Sequence, residues 1–238
     1  MSKGEKRQRI ELIDALRGFS VVLMVIHHLL YNIYAFLGAP YWIFSNPVFD
    51  ILHLIFAGLF ITLSGVSSRF SRGNIQRGLK VIALAIGITI VTWFMNMPIL
   101  FGVLHLLGFS MLFFGLAHKL WDKIPRKAAG AVFIALIIGS SAATSHIPVQ
   151  SGHLWIFGWW QPGFVSYDYF PLFPWLFVFL FGTWAGQYIQ ERRLPDWFYK
   201  TRNIRWFPAI GQKALLIYIL HQPILYGLVM GIAFLMRR

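Results

Sequence analysis

Residues 9–37 read RIELIDALRGFSVVLMVIHHLLYNIYAFL. From Leu12 onward this is a mostly apolar run, longer than the roughly 20 residues that carry an α-helix across a bilayer. Lys3, Lys6, Arg7 and Arg9 precede it. A basic lead before an apolar run also describes a secretory signal. This run is helix-length, however, and no small-residue cleavage site follows it, so it reads as a retained first transmembrane helix. It also holds Asp14, Arg17, His27 and His28, ionisable groups that are costly inside lipid and are functional candidates for that reason.

Working outward from this helix, the spanning runs fall at 12–37, 48–68, 79–97, 99–118, 128–144, 169–190 and 212–236. The fifth is short and is expected to extend into its flanks. Asn96-Met97-Pro98 leaves room only for a tight turn. The chain is 58% hydrophobic and 12% charged, against about 25% charged in a soluble domain. Lipid must therefore be the solvent for much of its surface. The predicted fold is an all-α integral membrane protein, a bundle of about seven transmembrane helices forming one polytopic domain over 1–238. No internal repeat is evident. There is no Cys, which excludes disulfides and thiolate chemistry.

The formal net charge of +13 would suggest a nucleic-acid partner in a soluble protein. Here the basic residues sit in short alternate loops, so no nucleic acid is expected. Lys3, Lys6, Arg7 and Arg9 precede the first run; Arg69, Arg72, Arg77 and Lys80 separate the second and third. Lys119, Lys123, Arg126 and Lys127 separate the fourth and fifth; Arg192, Arg193, Lys200, Arg202, Arg205 and Lys213 separate the sixth and seventh. Loops 38–47, 96–98 and 145–168 contain neither Lys nor Arg. By the positive-inside rule the N-terminus is cytoplasmic and the C-terminus external, in a multi-pass protein of the cell inner membrane; only Arg237 and Arg238 run against the pattern. Loop 145–168, with Trp155, Trp159 and Trp160, reads as an aromatic cap at the outer interface. Segment 191–213 interleaves Trp197, Phe198, Tyr199, Trp206 and Phe207 with basic residues and reads as lying on anionic lipid headgroups.

Arg17 and His28 are eleven residues apart, so they share a helix face and lie about 16 Å apart along the axis. Asp14, three residues before Arg17, can pair with it or simply help anchor the helix at the interface. His27 points roughly 80° away from that stripe. His53, His105 and His221 add imidazoles on other helices at overlapping depth, with Asp50 one turn from His53. Imidazole moves protons near neutral pH. A lone membrane histidine is more often an interhelical strut, and that reading is preferred for His27, His53 and His105. No two histidines stand at ligand spacing on one helix face, so no metal is expected.

Arg9-Ile10-Glu11-Leu12-Ile13-Asp14-Ala15-Leu16-Arg17-Gly18 followed by His28 resembles the opening of the heparan-alpha-glucosaminide N-acetyltransferase catalytic-domain family, in particular its short prokaryotic members. A more distant likeness is to the membrane O-acyltransferases of bacterial surface polysaccharides. Arg17, ten residues and His28 match one of their motifs. Leu63-Ser64-Gly65 followed by Arg69 and Arg72 matches a second. Gly211 with Tyr218, Ile219, Leu220, His221, Gln222 and Pro223 matches a third. The lysosomal enzymes are longer. They carry Asn where this chain has His28, and their proposed catalytic His falls in the loop after the first helix; loop 38–47 here has none.

The resemblance implies transfer of an acetyl or other acyl group from cytosolic acetyl-CoA to a sugar amine or hydroxyl on the outer side. Its partners are then membrane lipid, a small-molecule acyl donor and a saccharide-like acceptor; oligomeric state is left open. Arg17, Arg69, Arg72 and Arg77 are the candidate CoA-binding residues, because Arg reads phosphate by bidentate charged bonds. His28 is the candidate general base, His221 a second acid–base group or oxyanion donor, and Asp14 the group that orients Arg17. The competing expectation is a proton-linked transporter or channel using the same histidines as a relay.

Overall fold

The computed structural model describes residues 9–147, 153–200, 204 and 206–236. Lys3, Lys6, Arg7, Arg202, Arg205, Arg237 and Arg238, which entered the loop-charge argument, lie outside the described residues, as does 148–152 of the aromatic loop. Seven helices are long and apolar enough to cross a membrane. They are α1 (Glu11–Leu37), α2 (Pro47–Phe70), α3 (Asn74–Phe94), α4 (Val103–Trp121), α5 (Arg126–His146), α6 (Leu172–Gln190) and α9 (Ala214–Met236). Two short helices, α7 (Asp196–Tyr199) and α8 (Phe207–Gln212), lie between α6 and α9. The residues cluster into two compact units, Met1–Phe60 with Leu194–Arg238, and Ile61–Arg193.

In the first unit α1 packs against α8 and α9. It stops at Gly38, whose φ of 70° is the left-handed conformation that favours glycine at a helix C-terminus; Pro40 follows. Asn46 starts α2 by accepting the backbone N–H groups of Val48 and Phe49 at 3.0 and 3.1 Å. The α1–α8 crossing is closer than any side chain allows. A Cβ on Gly18 would stand 2.0 Å from the Phe207 carbonyl oxygen, and one on Gly211 would stand 1.9 Å from that of Asp14. Phe19 and Phe207 meet edge to face beside this crossing, with centroids 5.8 Å apart. Segment 191–213 therefore departs from the expectation that all of it lies on headgroups. Trp197 and Trp206 are exposed, but Pro208 and Gly211 are buried against α1.

In the second unit α3 and α4 form a tight hairpin and α5 packs on α6. Phe179, Leu180, Ile61 and Leu106 are fully buried there. Two helix starts differ by four residues or more from the sequence reading. Helix α3 begins at Asn74 rather than 79, because a polar first turn is invisible to hydropathy; Asn74 Nδ2 ties it to the Ser68 carbonyl at 2.8 Å. Helix α4 begins at Val103 rather than 99. Residues 99–102 are non-helical instead, and Phe101 forms an isolated parallel bridge with Tyr169. The Tyr169 hydroxyl donates to the Trp155 carbonyl. Burial pushes that phenol up to about 12, so it stays a protonated donor. Helix α5 does extend beyond 128–144 at both ends.

Candidate functional site

Helices α1 and α9 bring His28 and His221 together, with ring centroids 4.9 Å apart. His221 is buried, and its Nδ1 lies 2.7 Å from the Tyr218 carbonyl one turn back. A carbonyl only accepts, so Nδ1 carries the hydrogen and Nε2 of the neutral ring carries the lone pair. That Nε2 is buried without a partner among the described residues. His28 lies between this ring and His27, whose centroid is 6.0 Å away. His27 stacks on His53 at 4.5 Å and 18°, and Phe44 and Phe56 flank it. Four imidazoles thus run in ring contact from α9 through α1 to α2. Asp50, one turn before His53, accepts from Ser45 Oγ at 3.2 Å.

The α1 end of this unit holds Asp14 and Arg17. Arg17 Nη1 meets Asp14 Oδ1 at 2.9 Å, and Gln212 Nε2 reaches Asp14 Oδ2 at 3.4 Å. Glu11 Oε1 accepts the Ile204 N–H at 2.8 Å. The close α1–α8 crossing is what makes the Gln212–Asp14 contact available, since Gln212 follows Gly211.

The other proposed site residues belong to the second unit. His105 is a strut, as the sequence reading preferred. Its Nδ1 accepts the Gly102 N–H at 3.3 Å, and its Nε2 lies 3.2 Å from Thr89 Oγ1, whose own hydrogen goes to the Ile99 carbonyl. With both ring nitrogens engaged, it ties α3 to the start of α4. Arg69 is also held. Its guanidinium makes two bonds to Asp122, at 3.0 and 2.6 Å, and one to the Thr183 carbonyl at 3.2 Å, and it lies 5.1 Å over the Phe114 ring. Arg72 and Arg77 are exposed at the start of α3. A groove of about 680 Å³ next to Arg69 is lined by Asp122, Lys123, Arg126, Gln187 and Glu191. Its charges are largely paired internally: Arg126 meets Glu191 at 2.6 Å and Gln187 meets Asp122 at 2.9 Å.

Residues 9–223 match the model of the family described as heparan-alpha-glucosaminide N-acetyltransferase, catalytic. The chain belongs to that family. No curated protein and no solved structure matches it. A member of the heparan-alpha-glucosaminide N-acetyltransferase catalytic family with seven long apolar helices is a multi-pass membrane protein of acetyltransferase type. No group of three or more His, Asp or Glu placed to hold a metal ion occurs among the described residues.

Two residues of this family member were assigned no role by sequence, yet they stand at the paired imidazoles. Asn32 is fully buried on α1 four residues after His28, and Gln222 Nε2 donates to its Oδ1 at 3.2 Å. A buried amide at i+4 from a candidate base was the available signal.

Proposed function

We propose that the protein is a membrane acyltransferase. It moves an acetyl group from cytosolic acetyl-CoA to the amine or hydroxyl of a saccharide-like acceptor at the outer face of the cell inner membrane. The observation that carries this reading is the meeting of His28 and His221 at 4.9 Å in a chain of this acetyltransferase family. The orientation follows the loop charges, with the N-terminus cytoplasmic, the C-terminus external and 1–238 acting as one transmembrane domain.

In this reading the acceptor atom attacks the thioester carbonyl carbon, the new C–N or C–O bond forms, and the C–S bond breaks. The acceptor's proton passes to His28 and is shared with the lone pair of His221 Nε2. It leaves with the CoA thiolate, so both rings are regenerated. No covalent enzyme intermediate and no metal is needed.

Arg17 reads donor phosphate at the basic end of α1, about 16 Å along the helix from His28. Asp14 fixes its guanidinium through the 2.9 Å bond. Arg72 and Arg77, exposed in the second unit, are separate candidates for phosphate contact through their planar forks. Arg69 joins them only by exchanging Asp122 for phosphate, since its bonds are already made.

Thermal unfolding with and without acetyl-CoA tests the donor. At a hundredfold excess over Kd, binding stabilises the fold by about 2.7 kcal/mol. That is a rise of roughly 5–10 °C for a chain of this size. A transporter or channel for another solute gives no such rise, and its absence would remove the acyltransferase reading.

A further inference from the structure

Asn32 is about 40° round α1 from His28 and ~6 Å further along, so the two side chains share a face. Gln222 follows His221 on α9. Around the His28–His221 pair, three buried polar atoms lack a hydrogen-bond partner among the described residues: Asn32 Nδ2, Gln222 Oε1 and His221 Nε2. Each is an expensive group to leave unpaired in a low-dielectric interior. A simple strut between α1 and α9 gives no reason for them, because two leucines would pack there without that cost. Turning both amides over moves the unpaired NH₂ from Asn32 to Gln222 but does not remove it. The α1–α9 seam therefore carries both a hydrogen-bond donor and an imidazole nitrogen that only accepts, each without a partner among the described residues. This is the complement of a carbonyl oxygen next to an N–H or O–H group.

We propose that Asn32 Nδ2 donates a hydrogen bond to the carbonyl oxygen of the acyl thioester, and that Gln222 positions it by holding Oδ1. The proposal rests on the acyltransferase reading and deepens it. When the acceptor adds to the carbonyl carbon, the C=O π electrons move onto oxygen, and the Asn32 N–H meets that charge. They return as the C–S bond breaks and CoA leaves as the thiolate. The acceptor's proton travels by His28 and His221 to the sulfur. Acyl thioester and acceptor give acylated acceptor and CoA thiol, with nothing else consumed. A preorganised donor at a developing oxyanion in a dry site is typically worth ~10²–10³ in kcat. Gln222 touches no reacting atom and acts only through Asn32.

The test uses the full chain in detergent and acetyl-CoA isotopically labelled at its carbonyl carbon. Infrared difference spectra read the carbonyl stretch of the bound thioester. CoA release with glucosamine as the probe acceptor reads kcat and KM. In Asn32→Leu the carbonyl band is expected at higher wavenumber than in wild type, with kcat down about 10²–10³-fold and little change in KM. Gln222→Leu is expected to shift the same two readouts less. If Asn32→Leu does not fold, Asn32→Ala takes its place. A band position and kcat unchanged by the Asn32 variant overturn the proposal while leaving the acyltransferase reading intact. So does a band moved only by Gln222→Leu. Failure of the wild type to bind acetyl-CoA overturns the acyltransferase reading itself, and this proposal with it.

Discussion

Replacing Gly211 by Ala tests the crossing that brings Gln212 to Asp14. The new Cβ would lie 1.9 Å from the Asp14 carbonyl oxygen and 2.9 Å from the Gly18 nitrogen. Ordinary contact begins near 3.4 Å, so α8 must retreat by about 3.4 − 1.9 = 1.5 Å. Both opposing atoms are backbone, and no rotamer change relieves them. Overpacking of this kind costs about 1–3 kcal/mol. The retreat also breaks the Gln212–Asp14 bond, already 3.4 Å long, and a bond to a charged group adds about 1.5–3 kcal/mol. The expected loss is then about 2.5–6 kcal/mol, a fall in Tm of roughly 5–25 °C for a chain of this size. Gly227→Ala is the control, since no heavy atom stands within 4 Å of its Cβ. There the helix propensity of Ala gains up to about 1 kcal/mol. Differential scanning fluorimetry in one detergent compares the three proteins. Equal Tm for Gly211→Ala and Gly227→Ala would refute the packing of α8 on α1.

Three further outcomes are expected. Arg72→Ala weakens CoA binding and Arg72→Lys restores only part of it, because the planar fork is lost; calorimetric titration with CoA reads both, and unchanged affinity in the Ala variant counts against phosphate recognition there. His105→Ala removes the bonds to Gly102 and Thr89 and lowers stability by about 1–3 kcal/mol, while activity per folded molecule is retained; a dead but fully stable variant would make His105 catalytic instead. A tag after Lys123 is accessible from the cytoplasm and one at Trp155 from outside; the reverse labelling pattern inverts the topology.

The seven spans were legible because a bilayer imposes one length and one composition on every crossing helix. The misread ends are places where polarity and helicity part company. Asn74, Gln76 and Arg77 are helical despite being polar, and 99–102 is apolar yet non-helical, with Phe101 bridged to Tyr169. The docking of α8 on α1 had no periodic signal, because it depends on two absent side chains, Gly18 and Gly211, rather than on an apolar stripe. For the site, the motifs of the resemblance singled out His28 and His221, but their meeting could not be read from them. It requires the first and last spanning helices to be neighbours, and no local pattern in either helix says so. The contacts of His105 to Gly102 and Thr89 fit the strut reading, and the shared face of Arg17 and His28 follows from helix geometry alone. Asn32 was passed over because one amide in an apolar helix carries no sign of whether its hydrogen bonds are met.

The most direct measurement of the account is CoA release and acetyl-CoA binding, side by side, for wild type, His28→Ala and His27→Ala in lipid. Loss of a positioned general base costs ~10²–10⁴ in rate, about 3–5 kcal/mol. His28→Ala is expected to bind acetyl-CoA nearly as wild type does and to release CoA at that reduced rate. His27→Ala, stacked on His53 and pointing away from the Arg17–His28 face, is expected to be mild. Wild-type turnover by His28→Ala, or a dead His27→Ala that still binds donor, would contradict the assignment of the base.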